Sequence, residues 1–268
     1  MVAQDKGLSR EDILRALLEP FKRLDYVHAF WEGGATCFGR VDEWSDLDLY
    51  VLVDDDRVDE TFSAVESTLA SLSKIRDRFM VGETPWKGIY QAFYRLEDTS
   101  EYLLIDLAIL TMSAPDKFME TDIHGPPIFY INKSDSIGPV ELDRKALAIR
   151  VQKRLARLST RRDIFLNFVQ KEINRGNFIE AVDLYKGVVL DSLTEALRIR
   201  YNPIHHDFKT RYIHYELPED VVEKLQRLYF VKDEDDLQEK FNEASEWLRE
   251  TIREIEEEGV DSLIEKRA

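Results

Sequence analysis

The chain has 268 residues, 44% of them apolar, which is enough for one large or two medium-sized globular domains. Its formal net charge of −16 argues against a long nucleic acid partner, because proteins that bind DNA or tRNA carry a basic patch. The single cysteine, Cys37, excludes an internal disulfide, and without a signal-like segment or an apolar run of roughly 20 residues we expect a cytoplasmic protein with no membrane partner.

The first half of the chain alternates helical and strand patterns. Ser9 precedes an amphipathic run and is expected to cap a helix. The patterns that follow predict, in chain order, a strand over 26–31, one or two helical turns over 35–39, a strand over 47–53, a helix over 58–78, and two strands over 89–96 and 102–110 joined by a polar turn of hairpin length.

The second half of the chain has only helical patterns. Four helices are expected: over 142–174, over 177–201 with Asn177 and Glu180 as its capping box, from Pro218 onward, and over 233–258. This order predicts an α+β protein with two domains. Residues 1–135 would form a mixed sheet with helices, and residues 136–268 an all-α helical bundle.

Three aspartates interrupt apolar strands of the first half. Asp46 and Asp48 stand two positions apart, so they would share one face of the strand, and Asp106 is the one carboxylate in the apolar run 102–110. Carboxylates in such surroundings are costly unless they are paired or bind a cation. A solvated edge strand, or for Asp106 an arginine partner such as Arg95, would also account for them. Oxygen ligands of this kind suit Mg²⁺.

Two glycines follow the first predicted strand. Gly33 and Gly34 allow a tight turn and a close approach of the backbone to a ligand. A helical turn beginning at Ala35 would point free N–H groups at an anion, with the hydroxyl of Thr36 and the cation of Arg40 on the same loop. A Gly-Gly pair followed after 11 residues by Asp-Leu-Asp-Leu is far more specific than either motif alone.

This combination resembles the nucleotidyltransferase superfamily with the DNA polymerase beta-like fold. The matching residues are Gly33, Gly34, Asp46 and Asp48, with Asp106 in place of the third acid of the family. The run from Ser45 to Leu49 is similar to the minimal and antibiotic-modifying, aminoglycoside-type branches, in which a helical domain follows. Position 34 is glycine where many members have serine, so a hydroxyl contact to phosphate would have to come from Thr36.

The resemblance implies a Mg-dependent transfer of a nucleoside monophosphate, AMP from ATP or from another NTP, to a hydroxyl of a small molecule, with release of pyrophosphate. It implies that Asp46 and Asp48 hold two Mg²⁺ or Mn²⁺ ions. Asp106 would bind the second ion and assist deprotonation of the acceptor. The nucleotide contacts implied are Gly33, Gly34, Thr36, Arg40 and Ser45.

The helical half is expected to bind the acceptor and is compatible with a homodimer. On the helix predicted over 177–201, a polar stripe includes Asp183 and Asp191, which we interpret as acceptor contacts, although a solvated face has the same pattern. Gly187 within the stripe makes room for a ligand or a neighbour, and Lys186 beside it could reach a triphosphate.

A rival interpretation rests on Arg198, Arg200 and His205. An arginine followed after four to six residues by histidine is similar to the ribonuclease motif of HEPN domains, which are helical partners of minimal nucleotidyltransferases. The alternative function is therefore a nucleotide-binding or toxin–antitoxin-type module without transfer to a small molecule. A charged helix end followed by a loop would give the same pattern.

Overall fold

The computed structural model describes residues 7–267, without the side chains at positions 82, 83, 162 and 163. Contacts within the chain divide it into two compact units, the first ending at Leu142 and the second beginning at Asp143. The first contains a sheet with helices and the second is helical, which confirms the α+β class. The boundary predicted from the sequence, after residue 135, falls earlier in the chain than this division, at the end of the 3₁₀ turn Lys133–Asp135. Among residues 7–267, no helix has the length and apolar character needed to cross a bilayer.

The sheet of the first unit has six strands in the order β3-β4-β5-β2-β1-β6. The strands are β1 Val27–Glu32, β2 Leu47–Val53, β3 Ile75–Glu83, β4 Ile89–Leu96, β5 Ile105–Thr111 and β6 Ile128–Asn132. The central pair β2 and β5 is parallel, and every other neighbouring pair is antiparallel. The four strands predicted from the sequence are present within three residues at each end, whereas β3 and β6 were not predicted.

Alternation along β2 gives the sheet two different faces. Leu47, Leu49 and Val51 belong to the larger core cluster, which includes apolar side chains of two helices, α1 (Arg10–Arg23) and α3 (Val58–Leu72). Asp48 and Tyr50 point to the opposite face, where Trp31 stacks on Tyr50 at 5.3 Å between ring centroids. The helices of this unit are α1 Arg10–Arg23, α2 Gly34–Cys37, α3 Val58–Leu72 and α4 Thr121–His124.

Local signals predicted the start of α1 but not the end of α3. Ser9 caps α1 in a capping box with Asp12, as expected. The helix predicted over 58–78 is wrong beyond Leu72, because Ser73 is extended and β3 begins at Ile75. Ile75 continues the apolar helical spacing of α3, but the segment that it opens pairs antiparallel with β4, and periodicity does not reveal a strand partner.

The second unit is built from helices that its core holds together. They are α5 Arg144–Arg175, α6 Phe178–Leu184, a π-helix Tyr185–Leu190, α7 Asp191–Tyr201, a 3₁₀ turn Pro203–His205, α8 Ile213–Glu216, α9 Glu219–Tyr229, α10 Glu234–Glu258 and α11 Val260–Glu265. The capping box predicted at Asn177 is wrong, because its side chain makes no cap hydrogen bond and its amide donates to Glu172 at 2.8 Å.

Candidate active site

Asp48 and Asp106 lie side by side in the centre of the sheet. They are direct partners in the parallel register of β2 and β5. The residues that flank them, Leu47 and Leu49 on β2 and Leu107 on β5, are fully buried on the other face. Two half-buried carboxylates therefore share the face opposite α1 and α3.

Asp46 lies just outside β2, which begins at Leu47. That Asp46 and Asp48 share a strand face stays a prediction, because Asp46 belongs to the preceding loop and is exposed, although its charge acts on Asp48. Its backbone carbonyl accepts a hydrogen bond from Arg10 at 2.5 Å, and the carbonyl of Ser45 accepts another at 3.1 Å. The orientation of Asp46 therefore depends on contacts outside the strand.

The three carboxylates influence one another electrostatically. Burial raises the pKa of Asp48 to about 6, and the nearby charges of Asp106 and Asp46 add to the rise, which Arg10 opposes. Burial also raises the pKa of Asp106, against a hydrogen bond from Gln91 at 2.7 Å, and the charge of Asp46 raises it further. Mutual repulsion of this kind is relieved by a cation, so the chemistry of the donor set suits a divalent metal.

The three carboxylates are suitable metal ligands by their chemistry, but their side chains are not arranged as a metal site in this structure. Within residues 7–267, no three histidine, cysteine, aspartate or glutamate residues come together in a geometry that would hold a metal ion. Asp48 and Asp106 supply two carboxylates at one place. Asp46 precedes the strand, so the coordination shell of a nucleotide-bound metal would have to be completed by movement of the Asp46 side chain or by oxygens of phosphate and water, which Mg²⁺ commonly retains.

Gly34 lies against Asp48, a contact that the sequence did not reveal. A Cβ atom at Gly34 would stand 1.8 Å from Oδ2 of Asp48, and φ at this residue is +59°. A Cβ atom at Gly33 would stand 2.6 Å from Cε2 of Tyr50. The glycine pair thus makes room for the side chains of β2, in addition to making the turn.

The other residues predicted to contact nucleotide already have partners within the first unit. The hydroxyl of Thr36 donates to Glu32 at 2.5 Å, and that of Ser45 donates to Asp42 at 2.7 Å. The guanidinium of Arg40 lies 5.0 Å from the ring centroid of Phe38. Contact of these groups with phosphate stays a prediction, and for Thr36 and Ser45 it would require an exchange of hydrogen bonds.

Sequence reasoning missed Arg10 and Glu32. Glu32 ends β1 and is 2% exposed, and Arg10 opens α1 and pairs with it at 2.6 Å. A carboxylate closing an apolar strand beside Gly33 was a signal available for Glu32. Nothing in the sequence relates Arg10 to Asp46, since they are 36 positions apart and belong to different elements.

The polar stripe predicted on the helix over 177–201 does not form one exposed face of a continuous α-helix. Asp183, Lys186 and Asp191 are exposed, but Thr194 and Arg198 at the same predicted spacing are 1% and 0% exposed. The π-helix Tyr185–Leu190 interrupts the stripe between Asp183 and Asp191 and has more residues per turn than an α-helix, so it shifts the register of the residues that follow it.

Two of these exposed residues, Lys186 and Asp191, line cavities of the second unit. Lys186 lines one of about 550 Å³ together with Phe178, Tyr229 and Lys232. Asp191 lines a smaller, polar one of about 240 Å³. Lys186 and Asp191, predicted as a triphosphate contact and an acceptor contact, thus belong to different cavities of this unit.

The geometry around His205 argues against the ribonuclease interpretation. Arg198 and His205 both pair with Glu216, at 2.8 and 3.0 Å, and all three side chains are at most 6% exposed. His205 also stacks on Phe208 at 4.1 Å between centroids. Arg200, the other arginine of the motif, pairs with Glu254 and Glu258. Arg198 and His205 are therefore accounted for by a buried ion-pair network, and Arg200 by separate, partly exposed ion pairs.

Comparisons with known proteins yield similarity only to solved structures. No family model and no curated protein matches the chain. A crystal structure of an aminoglycoside 6-adenyltransferase from Bacillus subtilis is 13% identical, with a TM-score of 0.35 and coverage of 92% of each chain. The structure of spectinomycin adenyltransferase AAD(9) from Enterococcus faecialis with ATP and spectinomycin is 13% identical, with a TM-score of 0.31 and coverage of 90% of this chain and 98% of that one. Both are adenyltransferases named for antibiotics, the branch that the motif resembles, and likenesses this distant do not bear on the activity of this chain.

Proposed function

We propose that the protein is an enzyme that transfers a nucleoside monophosphate from a Mg²⁺-bound nucleoside triphosphate, ATP in the first instance, to a hydroxyl of a small molecule. The observation that carries the proposal is the pairing of Asp48 with Asp106 in the parallel register of β2 and β5, with Gly34 in contact range of Asp48. The paired carboxylates thereby lie next to a glycine turn. Phosphoryl transfer with metal ions uses carboxylates to hold the metal and close backbone to position the phosphates.

In this proposal the three aspartates hold the metal ions. Asp48 and Asp106 supply the paired oxygens, and Asp46 supplies a third carboxylate from the adjoining loop. When bound, Mg²⁺ or Mn²⁺ would neutralise charge on the phosphates and on the oxygens that attack and leave. Asp106 is the residue we assign to the proton of the acceptor hydroxyl, because burial raises the pKa of its carboxyl group and so makes the carboxylate a stronger base.

The glycine turn is assigned to the triphosphate, with the residues already predicted from the sequence. Gly34 keeps the backbone free of a Cβ atom next to the carboxylate of Asp48, and Gly33 does the same next to the ring of Tyr50. Thr36, Arg40 and Ser45 lie on the same stretch of chain and supply hydroxyls and a cation. Lys186 of the second unit stays a predicted triphosphate contact, since its amine is exposed.

The acceptor is proposed to be small and neutral or cationic. Residues 1–130 contain 13 basic and 25 acidic side chains, so the field around the carboxylates repels polyanions. On the second unit, Asp191 lines a polar cavity together with acidic side chains such as Asp207 and basic ones such as Arg154, so the cavity offers both donors and acceptors to the hydroxyl groups of an acceptor. Asp183 is exposed and is kept as a further acceptor contact.

The test is transfer of label from [α-³²P]ATP with Mg²⁺ to a panel of small hydroxyl compounds and proteins. We expect a labelled small molecule and released pyrophosphate with the parent protein. The same reaction should be lost in Asp106→Asn and kept in Glu43→Gln, which changes an exposed carboxylate near Asp46. If the parent neither binds Mg·ATP nor labels any acceptor, or if Asp106→Asn retains full activity, the proposal is wrong.

A further inference from the structure

Arg10 connects three separate segments of the first unit. It opens α1, yet its side chain is only 17% exposed because the guanidinium turns inward. One nitrogen donates to the backbone carbonyls of Ser45 and Asp46, at 3.1 and 2.5 Å. The other pairs with Glu32 at 2.6 Å and donates to the hydroxyl of Thr36 at 3.3 Å. A single planar group thus touches β1, the glycine turn and the loop before β2.

Glu32 holds this guanidinium in place. Its carboxylate is 3% exposed and accepts hydrogen bonds from three side chains. Arg10 and Thr36 reach Oε1 at 2.6 and 2.5 Å, and the hydroxyl of Tyr130 reaches Oε2 at 2.6 Å. A buried carboxylate satisfied on both oxygens is rigid, so the arginine that it binds has a defined orientation.

We infer that Arg10, held by Glu32, is a positioning residue that fixes the loop carrying Asp46 relative to the glycine turn. The inference rests on the proposed function for its catalytic meaning, but its structural claim is independent of it. Arg10 bonds to the backbone oxygens of the loop, so it sets where the chain enters β2. The direction of the Asp46 carboxylate, the one ligand candidate outside a strand, follows from that entry.

An electrostatic role and a positioning role of Arg10 predict opposite changes in metal affinity when Arg10 is removed. As a cation near the carboxylates, Arg10 opposes the binding of another cation, so a purely electrostatic role means that its removal strengthens metal binding. As a positioning residue, Arg10 assembles the carboxylates, so its removal weakens metal binding. The sign of the change in affinity therefore separates the two roles.

The experiment measures Mn²⁺ binding by calorimetry in the presence of a non-hydrolysable ATP analogue, with hydrogen exchange over residues 41–47 measured in the free protein. The variants are Arg10→Met and Arg10→Lys. The matched control is Arg15→Met, since Arg15 lies on the same helix with its side chain 75% exposed. We expect Arg10→Met to weaken Mn²⁺ binding about tenfold, the loss typical of one charged hydrogen bond, and to speed exchange over 41–47.

Arg10→Lys keeps the charge but lacks the fork that reaches Glu32 and the two carbonyls together, so it should recover only part of both losses. The control should match the parent in both measurements. Mn²⁺ affinity that is unchanged or tighter in Arg10→Met, or exchange over 41–47 equal to the parent, would overturn the inference. If the parent binds no Mn²⁺ with the nucleotide analogue, the proposed function fails, and the exchange measurement alone then decides whether Arg10 holds the loop.

Discussion

Replacing Asp48 by asparagine should stabilise the metal-free protein at neutral pH. In the folded chain the pKa of Asp48 rises from 3.8 to about 6, first because of burial and then because of the charges of Asp106 and Asp46. A folded pKa above the unfolded value means that the native carboxylate holds its proton more tightly. Stability is therefore lost as the pH rises from about 4 to 6. A shift of two units at about 1.4 kcal/mol each corresponds to about 3 kcal/mol at pH 7.

The assay is urea unfolding in EDTA at pH 7 and pH 4, followed by tryptophan fluorescence, to which Trp31, buried in the first unit beside Tyr50, contributes. Asp48→Asn should gain about 2–3 kcal/mol at pH 7, and most of that gain should be absent at pH 4. Glu43→Gln, at an exposed position in the loop before β2, controls for the loss of one negative charge.

An equal gain in the free energy of unfolding at both pH values, or no gain at pH 7, would show that the ionised carboxylate of Asp48 does not destabilise the folded protein. The same variant separates stability from function. With Mg²⁺ and nucleotide present, the parent should gain stability by ligand binding and Asp48→Asn should gain little, because the substitution removes a proposed metal ligand.

Two further predictions use the same measurements. Gly34→Ala and Gly39→Ala both place a Cβ at a positive φ, which should lower the free energy of unfolding by about 1–2 kcal/mol each, but only the Cβ at position 34 collides with Asp48. Nucleotide-dependent Mn²⁺ binding, measured by calorimetry, should therefore be lost in Gly34→Ala and kept in Gly39→Ala. Equal binding in both variants would show that Gly34 is not part of the site. Burial alone would raise the pKa of Glu216, but hydrogen bonds and charge from His205 and Arg198 lower it to about 2, so the network stabilises above pH 4.5 and fails as the pH falls towards 2. Urea unfolding should therefore show Arg198→Met to be destabilised by about 3–5 kcal/mol at pH 7 and by less at low pH, and a pH-independent loss would contradict this account.

The sequence by itself determined the features that depend on neighbouring residues. Apolar runs located β2 and β5, and with them the aspartates that interrupt these strands. The Ser9 cap is a local hydrogen-bond pattern and was predicted from the sequence, and the structure adds Asp12 as its partner in the first turn. Patterns of period two or 3.6 suffice for such features, because the spacing alone decides which side chains share a face.

Tertiary structure decided which distant segments meet. The parallel register that places Asp48 beside Asp106 is a choice of strand partner, and so is the pairing that makes Ile75 open a strand rather than extend α3. The bond from Arg10 to Asp46 and the fit of Gly34 against Asp48 arise from packing across the fold. None of these contacts leaves a periodic trace along the chain. They depend on three-dimensional neighbours, which local propensity does not specify.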